Sequence, residues 1–284
     1  DFYIINSCTV TNAAASKSRN YARRAKRKNN DGIVILVGCY AQVSPEEVEE
    51  VEEIDYILGT EKKSEIVNLV EEADKGSNYL EEIRDFRQLT TYEDLIVNEI
   101  SKTTRAYLKI EEGCNQFCSY CIIPYARGPV RSRLQSSVID EVKRVVEKGV
   151  KEVVLTGIHL GAYGVDWNND LALVELLEKL IDIKGLLRIR LSSLEVTELN
   201  DRLLNLIAAD NIICPHLHLP LQSGSKKILE LMNRPYTKKQ FWHSLQVVKD
   251  KICDIALTTD VIVGFPGEGE DEFRETYDLI NEVG

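Results

Sequence analysis

The 284-residue chain has no run of eighteen apolar residues, and its opening, DFYIINSCTV, lacks the basic flank and long apolar centre of a secretory signal. Neither a membrane-spanning helix nor a cleaved leader is expected, so no membrane partner is either. A cytoplasmic location follows, and in a reducing cytosol closely spaced cysteines serve as metal ligands more often than as disulfides. Acid is absent from Phe2 to Asn30. There is also no fourth cysteine beside Cys114, Cys118 and Cys121 in GCNQFCSYCIIP. The chain starts at Asp1 rather than at a methionine and stops at Gly284, straight after the helical pattern DEFRETYDLINEV. It is therefore expected to be truncated at both ends.

The missing fourth cysteine is the most informative absence. A structural zinc site is closed by four ligands, usually supplied by C-x-x-C pairs. A ferredoxin-like electron carrier, the alternative from another functional class, also needs four. A cubane 4Fe-4S cluster on three cysteines leaves one iron without a protein ligand, open to a small chelating molecule. Cys214 and Cys253 lie in apolar surroundings and read as core thiols.

A hydrophobic content of 44% is ordinary for a soluble globular protein, and the net charge is −11. Binding follows local fields rather than the sum. Lys17, Arg19, Arg23, Arg24, Lys26, Arg27 and Lys28 crowd positive charge onto one helical stretch. That stretch is either a solvated helix face or a surface that neutralises phosphates, and its one-sidedness favours the second.

The first ninety residues read as α/β repeats. FYIIN and IVILV are apolar strands, SKSRNYARRAKRK is a helix, and DYILGT is a third strand. Ser44, Pro45 and Glu47 form the N-cap, first-turn proline and capping-box acid of a further helix, with the acidic run Glu46–Glu53 as its solvated face. Cys8 and Cys39 follow the first two strands at equivalent places, and parallel pairing sets them side by side at the carboxyl edge. Each alone reads as an inert thiol; repeated placement favours a pair of ligands.

After a polar stretch from 76 to 104, strands and helices alternate: AYLKIE, a helix over 136–148, EVVLTGI, a helix over 171–183, LLRIRLSS, a helix near 197–209, HLHLPL, two helical stretches and ALTTDVIVGF. Five such units predict a right-handed, partly open β/α barrel, with active groups at the strand carboxyl ends. The fold class is α/β: a small parallel-sheet domain over 1–88, a linker over 89–104, and a partial (β/α)6-type barrel over 105–284.

With C-x-x-x-C-x-x-C directly after the first barrel strand and Tyr120 before its last cysteine, the chain resembles the radical S-adenosylmethionine superfamily. INSCTVT, LVGCYAQ, KIEEGCNQFCSYCIIPYARGPVRSR, LTGIHLGAYG, RLSSLEV, HLPLQSGS and VIVGFPGE extend the resemblance to the methylthiotransferase family across essentially the whole chain. The resemblance implies two 4Fe-4S clusters and S-adenosylmethionine. Cys114, Cys118 and Cys121 hold the cluster whose open iron binds S-adenosylmethionine, and one-electron reduction yields the 5′-deoxyadenosyl radical. Cys8 and Cys39 align with two of three ligands of the second cluster, the third preceding Asp1. An electron donor and a sulfur source are implied as further partners.

Tyr120 either packs near the adenine or fills space. Gly157 ends the second barrel strand where backbone approaches the methionine amino group. Ser193 and Glu195 close the third strand, and Glu195 is either a ribose or amine ligand or a helix-start acid. Gln222 follows the fourth strand, and Gly264 admits the adenine edge. His159 reads as structural. Arg127, Arg131 and Arg133 position phosphates or S-adenosylmethionine unless they are surface arginines. TGIHLGAYG resembles the branch acting on threonylcarbamoyladenosine beside the tRNA anticodon. The alternatives are isopentenyladenosine in tRNA and an aspartate of a ribosomal protein. Lys17, Arg19, Arg23, Arg24, Arg27 and Arg131 are the candidate tRNA contacts.

Overall fold

Apolar runs near the chain start pair side by side. In the computed structural model, strand β1 (Phe2–Ser7) lies parallel to β2 (Ile33–Gly38), and β2 to β3 (Tyr56–Leu58), in the order β1-β2-β3. The structure describes residues 1–73, 83–95 and 104–283. Residues 76–82 and 96–103 of the expected polar connection lie outside the described residues. Central β2 is buried from Val34 onward, which is why its sequence reads as unbroken apolar residues rather than alternating ones.

Helix α1 (Asn12–Lys28) starts four residues before the expected segment, because the Thr11 hydroxyl accepts from the Ala14 N–H at 3.1 Å and satisfies an end donor there. Its buried positions are Ala15, Ser18, Ala22 and Ala25, small residues at helical spacing that let the helix lie close on the sheet. The chain then forms α2 (Cys39–Val43), α3 (Pro45–Glu49) and α4 (Ile66–Ala73). The expected capping box at Ser44 is absent: Ser44 also terminates α2, its side chain makes no capping bond, and Glu47 instead pairs with Arg19 at 2.9 Å.

The chain divides into two units, one of Asp1–Leu95, Gly113–Phe117 and Cys121–Pro129, the other of Ile96–Glu112, Cys118–Tyr120 and Val130–Gly284. In the second, β4 (Arg105–Lys109) runs into the short β5 (Glu111–Glu112). Helix α5 (Ile123–Arg127) precedes β6 (Arg131–Ser132), which pairs antiparallel with β5 in a ribbon that the sequence pattern did not announce. There follow α6 (Gln135–Glu147), β7 (Glu152–Thr156), α7 (Ala172–Ile181), β8 (Arg188–Leu191), α8 (Asp201–Ala209) and β9 (His216–His218). The last elements are α9 (Lys226–Leu231), α10 (Lys238–Lys251), β10 (Ala256–Thr258) and α11 (Glu270–Val283).

Strands β4, β7 and β8 are parallel neighbours, as are β9 and β10, and parallel bridges Ile189–Ile213 and Ser193–His218 join the two sets. Five parallel strands in sequence order, each followed by helix, form the partial barrel expected. Leu108, Val153, Leu155, Ile189 and Leu217 form one core cluster with Leu173, Leu176, Leu177 and Leu180 of α7, so the core lies between strands and helices. Fully burying each such leucine contributes about 1.5–3 kcal/mol. Cys253, expected in the core, is exposed, because Ile252 takes the buried place and the turn at Asp254 (φ 54°) carries its neighbour outward. Cys214 is half-buried.

Ile189 is fully buried on β8, between its partner Val153 and the bridge to Ile213. Ile189→Ala should cost about 2–5 kcal/mol in denaturant unfolding, whereas Leu187→Ala, at a position 60% exposed, should stay within about 0.5 kcal/mol.

Candidate active site

The cysteine triplet lies on the long connection between β5 and β6. Gly113 opens that loop at φ 88°, and a Cβ there would stand 2.0 Å from the Pro129 carbonyl oxygen, so only glycine fits. The Cys114 N–H donates to Gly128 O at 3.0 Å, closing the loop on itself. Of the triplet, Cys114 and Cys121 count with the first unit and Cys118 with the second. None of the seven cysteines is in a disulfide.

The Cys114 and Cys118 sulfurs accept hydrogen bonds. The Gln116 N–H donates to Cys114 Sγ at 3.4 Å, and Arg234 Nη1 donates to Cys118 Sγ at 3.3 Å. N–H groups aimed at sulfur suit a sulfur shared with a metal centre. The donor set therefore fits an iron–sulfur cluster. Among the described residues no three His, Cys, Asp or Glu side chains are grouped to hold a metal ion; a cubane differs from a single ion in taking each thiolate on a separate iron.

Cys118 is held by its surroundings. Ser119 donates from its N–H to Met232 O at 3.1 Å and from its hydroxyl to Leu231 O at 2.7 Å, fastening the segment to the end of α9. Arg234, which the sequence pattern did not single out, follows that helix in LMNRPYT. Its guanidinium pairs with Glu195 and bonds the Tyr236 hydroxyl from Nε at 3.2 Å and Nη2 at 3.1 Å. Burial pushes the Tyr236 phenol up to about 12. For Arg234, burial opposes the charge, yet Glu195 and Tyr236 hold the guanidinium above its ordinary range. The Glu195 carboxylate is thus already engaged, and it also takes part in a capping box with Glu198.

The other expected S-adenosylmethionine contacts stand at strand carboxyl ends in this unit. Ser193 is exposed just past β8, where it bridges to His218. Gln222 sits in left-handed backbone (φ 61°), fixed by its N–H to Asp260 O and by the Ile262 N–H to its own carbonyl, each 2.9 Å. A non-glycine residue held there is strained, as ligand-facing residues often are. Gly264 is exposed at φ 79° with open space where a Cβ would stand. The Tyr120 ring meets Phe265 edge-on at 6.4 Å and is 38% exposed. Burial of its hydroxyl, aided by the Cys118 sulfur and opposed by Arg234, raises the phenol above its ordinary value.

Gly157 has a local reason to be glycine. A Cβ there would lie 2.7 Å from Glu111 Oε2, and the same oxygen accepts the His159 N–H at 2.7 Å. Glu111 is fully buried, and burial lifts its carboxyl to about 8. His159 pairs with Glu198, the structural role expected of it. Arg133, expected to meet phosphate or cofactor, is 3% exposed and pairs with Glu141. Arg131 is 5% exposed on β6, so it offers no surface to tRNA.

In the first unit the β1–β2 register ends at Ser7 opposite Gly38, which places Cys8 and Cys39 directly after paired residues at one carboxyl edge. Cys8 is exposed and Cys39 buried. Arg127, expected to meet phosphate or cofactor, instead donates from Nε to Cys39 Sγ at 3.0 Å. On α1, the acidic run is only partly solvated: Glu47 pairs with Arg19 and Glu53 with Arg23, while Asp55 takes Lys26. Lys17, Arg24, Arg27 and Lys28 are exposed and, among the described residues, unpaired with acid. The sequence pattern also gave no sign of an open cleft of about 770 Å³ bordered by Glu46, Glu47, Arg84, Phe86 and Tyr125. No helix among the described residues is long and apolar enough to cross a membrane.

The radical SAM superfamily matches residues 108–280, and the group described as Uncharacterized protein family UPF0004 matches residues 1–59. The chain is 42% identical over 283 residues to a threonylcarbamoyladenosine tRNA methylthiotransferase, MtaB, of Bacillus subtilis, covering 99% of this chain and 62% of that protein. It is 42% identical to the MtaB of Aquifex aeolicus, covering 100% of this chain and 68% of that protein. A tRNA-2-methylthio-N(6)-dimethylallyladenosine synthase of Carboxydothermus hydrogenoformans is 36% identical, with 100% of this chain and 65% of that protein covered. The chain therefore spans about two thirds of the length of these relatives. Among solved structures, the radical S-adenosylmethionine methyltransferase TsrM of Kitasatospora setae superposes with a TM-score of 0.74 at 15% identity, over 99% of this chain and 60% of that one. At that identity the likeness is one of fold.

Glu111 gives a pH signature. With its carboxyl raised from 4.5 to about 8, the folded chain keeps a proton that the unfolded chain releases above 4.5. Its contribution is full below 4.5 and declines as pH rises toward 8. Glu111→Gln, which cannot ionise, should flatten stability against pH over that window, as followed by thermal unfolding in buffers from pH 5 to pH 8. An unchanged slope would show that Glu111 does not hold the proton.

Proposed function

Because the chain belongs to the radical S-adenosylmethionine superfamily and, within it, to the methylthiotransferase family, we propose that the protein methylthiolates threonylcarbamoyladenosine beside the tRNA anticodon. The product is 2-methylthio-threonylcarbamoyladenosine, made in the cytoplasm where tRNA is processed. The reading is carried by 42% identity to two threonylcarbamoyladenosine tRNA methylthiotransferases across essentially the whole chain. The sequence TGIHLGAYG after β7 supports the same branch.

A 4Fe-4S cluster with S-adenosylmethionine supplies, when bound, the one-electron chemistry that opens an unactivated C–H bond. Cys114, Cys118 and Cys121 are the residues that would hold this cluster. Tyr120, Ser193, Gln222 and Gly264 border the place for S-adenosylmethionine, and Glu195 acts there through Arg234 rather than directly. Gly157 leaves room for the Glu111 carboxyl group, which fixes the backbone of the TGIH turn by accepting its N–H groups. Cys8 and Cys39 would be two ligands of a second 4Fe-4S cluster. An electron donor and a sulfur source complete the reaction. Lys17, Arg24, Arg27 and Lys28 are the charges on α1 available to tRNA phosphates.

The branch is tested by incubating the full-length, anaerobically reconstituted enzyme with tRNA carrying or lacking threonylcarbamoyl, then analysing nucleosides by mass spectrometry. Methylthio product should form only on the threonylcarbamoyl tRNA. Product confined to isopentenyl tRNA, or to a ribosomal protein, overturns the assignment. For α1, reversing Arg24 and Arg27 to Glu in the full-length protein should weaken tRNA binding and reduce its salt slope by about 1 for each phosphate no longer neutralised. Arg19→Gln should change it less, because Arg19 already pairs with Glu47. Equal affinity of all three proteins would return this face to solvent.

A further inference from the structure

Arg234 is placed as few arginines are. Its side chain is 4% exposed, and each of its three nitrogens has an acceptor: Nη1 has Cys118 Sγ at 3.3 Å, Nε has the Tyr236 hydroxyl at 3.2 Å, and Nη2 has that hydroxyl and Glu195. The guanidinium also lies over the Tyr236 ring, 4.9 Å from its centroid. Tyr236 in turn donates its hydroxyl proton to Pro220 O at 2.7 Å and Leu221 O at 3.0 Å, tying the stack to the loop before Gln222. Glu195 sits on the Nη2 side, away from the sulfur. The ion pair therefore presents its positive end to Cys118.

We propose that Arg234 is a positioning residue for the iron–sulfur centre, which delivers a fixed, desolvated positive charge to the Cys118 thiolate and so favours the reduced, more negative state of the cluster. The inference rests on the reading that the triplet holds a 4Fe-4S cluster. The step it assists is one-electron reduction: one electron passes from an external low-potential donor to the cluster, and no bond or proton changes hands. Charge near sulfur, hydrogen bonds to sulfur and solvent exposure set cluster potentials, and a cation in a water-poor site acts far more strongly than one in water. Glu195 has the opposite electrostatic sign, while Tyr236 and Glu195 together fix the fork.

Opposite signs make the test specific. The full-length protein is reconstituted anaerobically with iron and sulfide, and the midpoint potential is read by redox titration followed by electron paramagnetic resonance. In Arg234→Gln the reduced-to-oxidised ratio at the wild-type midpoint should fall at least tenfold, about 59 mV for one electron. Glu195→Gln should move the midpoint the other way. If Arg234→Gln folds poorly with Glu195 left unpaired, the double variant Arg234→Gln/Glu195→Gln removes the buried pair as a unit, and its midpoint should still lie below wild type. Midpoints indistinguishable from wild type at full iron loading would overturn the proposal, leaving Arg234 as a loop brace. Wild-type protein that takes up zinc, or no metal, refutes the cluster reading itself and is told apart by metal analysis before any titration.

Discussion

Parallel strand pairing is the constraint on which the rest depends. A parallel ladder sends every carboxyl end to the same edge, so residues far apart in sequence become neighbours without any long-range design beyond the apolar strands. In the first unit the Ser7–Gly38 register does this for Cys8 and Cys39. In the second, Lys109 pairs with Thr156, Leu155 with Leu191, Ser193 bridges to His218 and Gln222 to Val261. Each of those pairs is followed closely by a residue with chemistry to offer. Interior leucines, isoleucines and valines hold the strands; the groups just past them carry the function.

The buried charges at that edge are organised by short, local compensation. Arg133 meets Glu141, and Arg234 meets Glu195. A buried ion pair is weak evidence for stability, because desolvation offsets much of the attraction. Its value here is directional: each pair fixes a loop that has no regular hydrogen-bond ladder of its own. The protonated Glu111 carboxyl does the same by accepting the His159 N–H, and the clash awaiting any Cβ at Gly157 shows how closely that carboxyl is fitted.

Much of this was legible in the sequence. The three β strands of the first unit, the five barrel strands, the helices between them and the placing of Cys8 beside Cys39 all follow from apolar runs and their spacing. The β5–β6 ribbon did not, since two residues on each side, Glu111–Glu112 and Arg131–Ser132, are polar and carry no period. Nor did Arg234: it follows Asn233 in left-handed backbone (φ 56°), and no local pattern tells which distant thiol such a turn will face. The charge on α1 was overestimated for a related reason. Composition revealed a basic helix and an acidic run, but only the fold of β2 and α3 shows that Glu47, Glu53 and Asp55 come back to meet it. Likewise the sequence reads Arg131 and Arg133 as phosphate or cofactor contacts, with surface arginines as the alternative, and the fold buries both.

The two buried candidate ligands share a feature that distinguishes them from inert thiols. Cys39 accepts from Arg127 Nε at 3.0 Å and Cys118 from Arg234 Nη1 at 3.3 Å. A thiol alone is a weak acceptor, and buried Arg234 leans on Glu195 and the Tyr236 hydroxyl as well as on Cys118. A thiolate, or a thiolate sulfur shared with iron, is a far better partner for a guanidinium. Half-buried Cys214 also has arginines nearby: burial raises its thiol above the ordinary value, and the charges of Arg190, Arg188 and Arg105 work against that rise. Nearness to arginine alone therefore does not sort the cysteines; what Cys39 and Cys118 share is a guanidinium N–H donated to the sulfur itself.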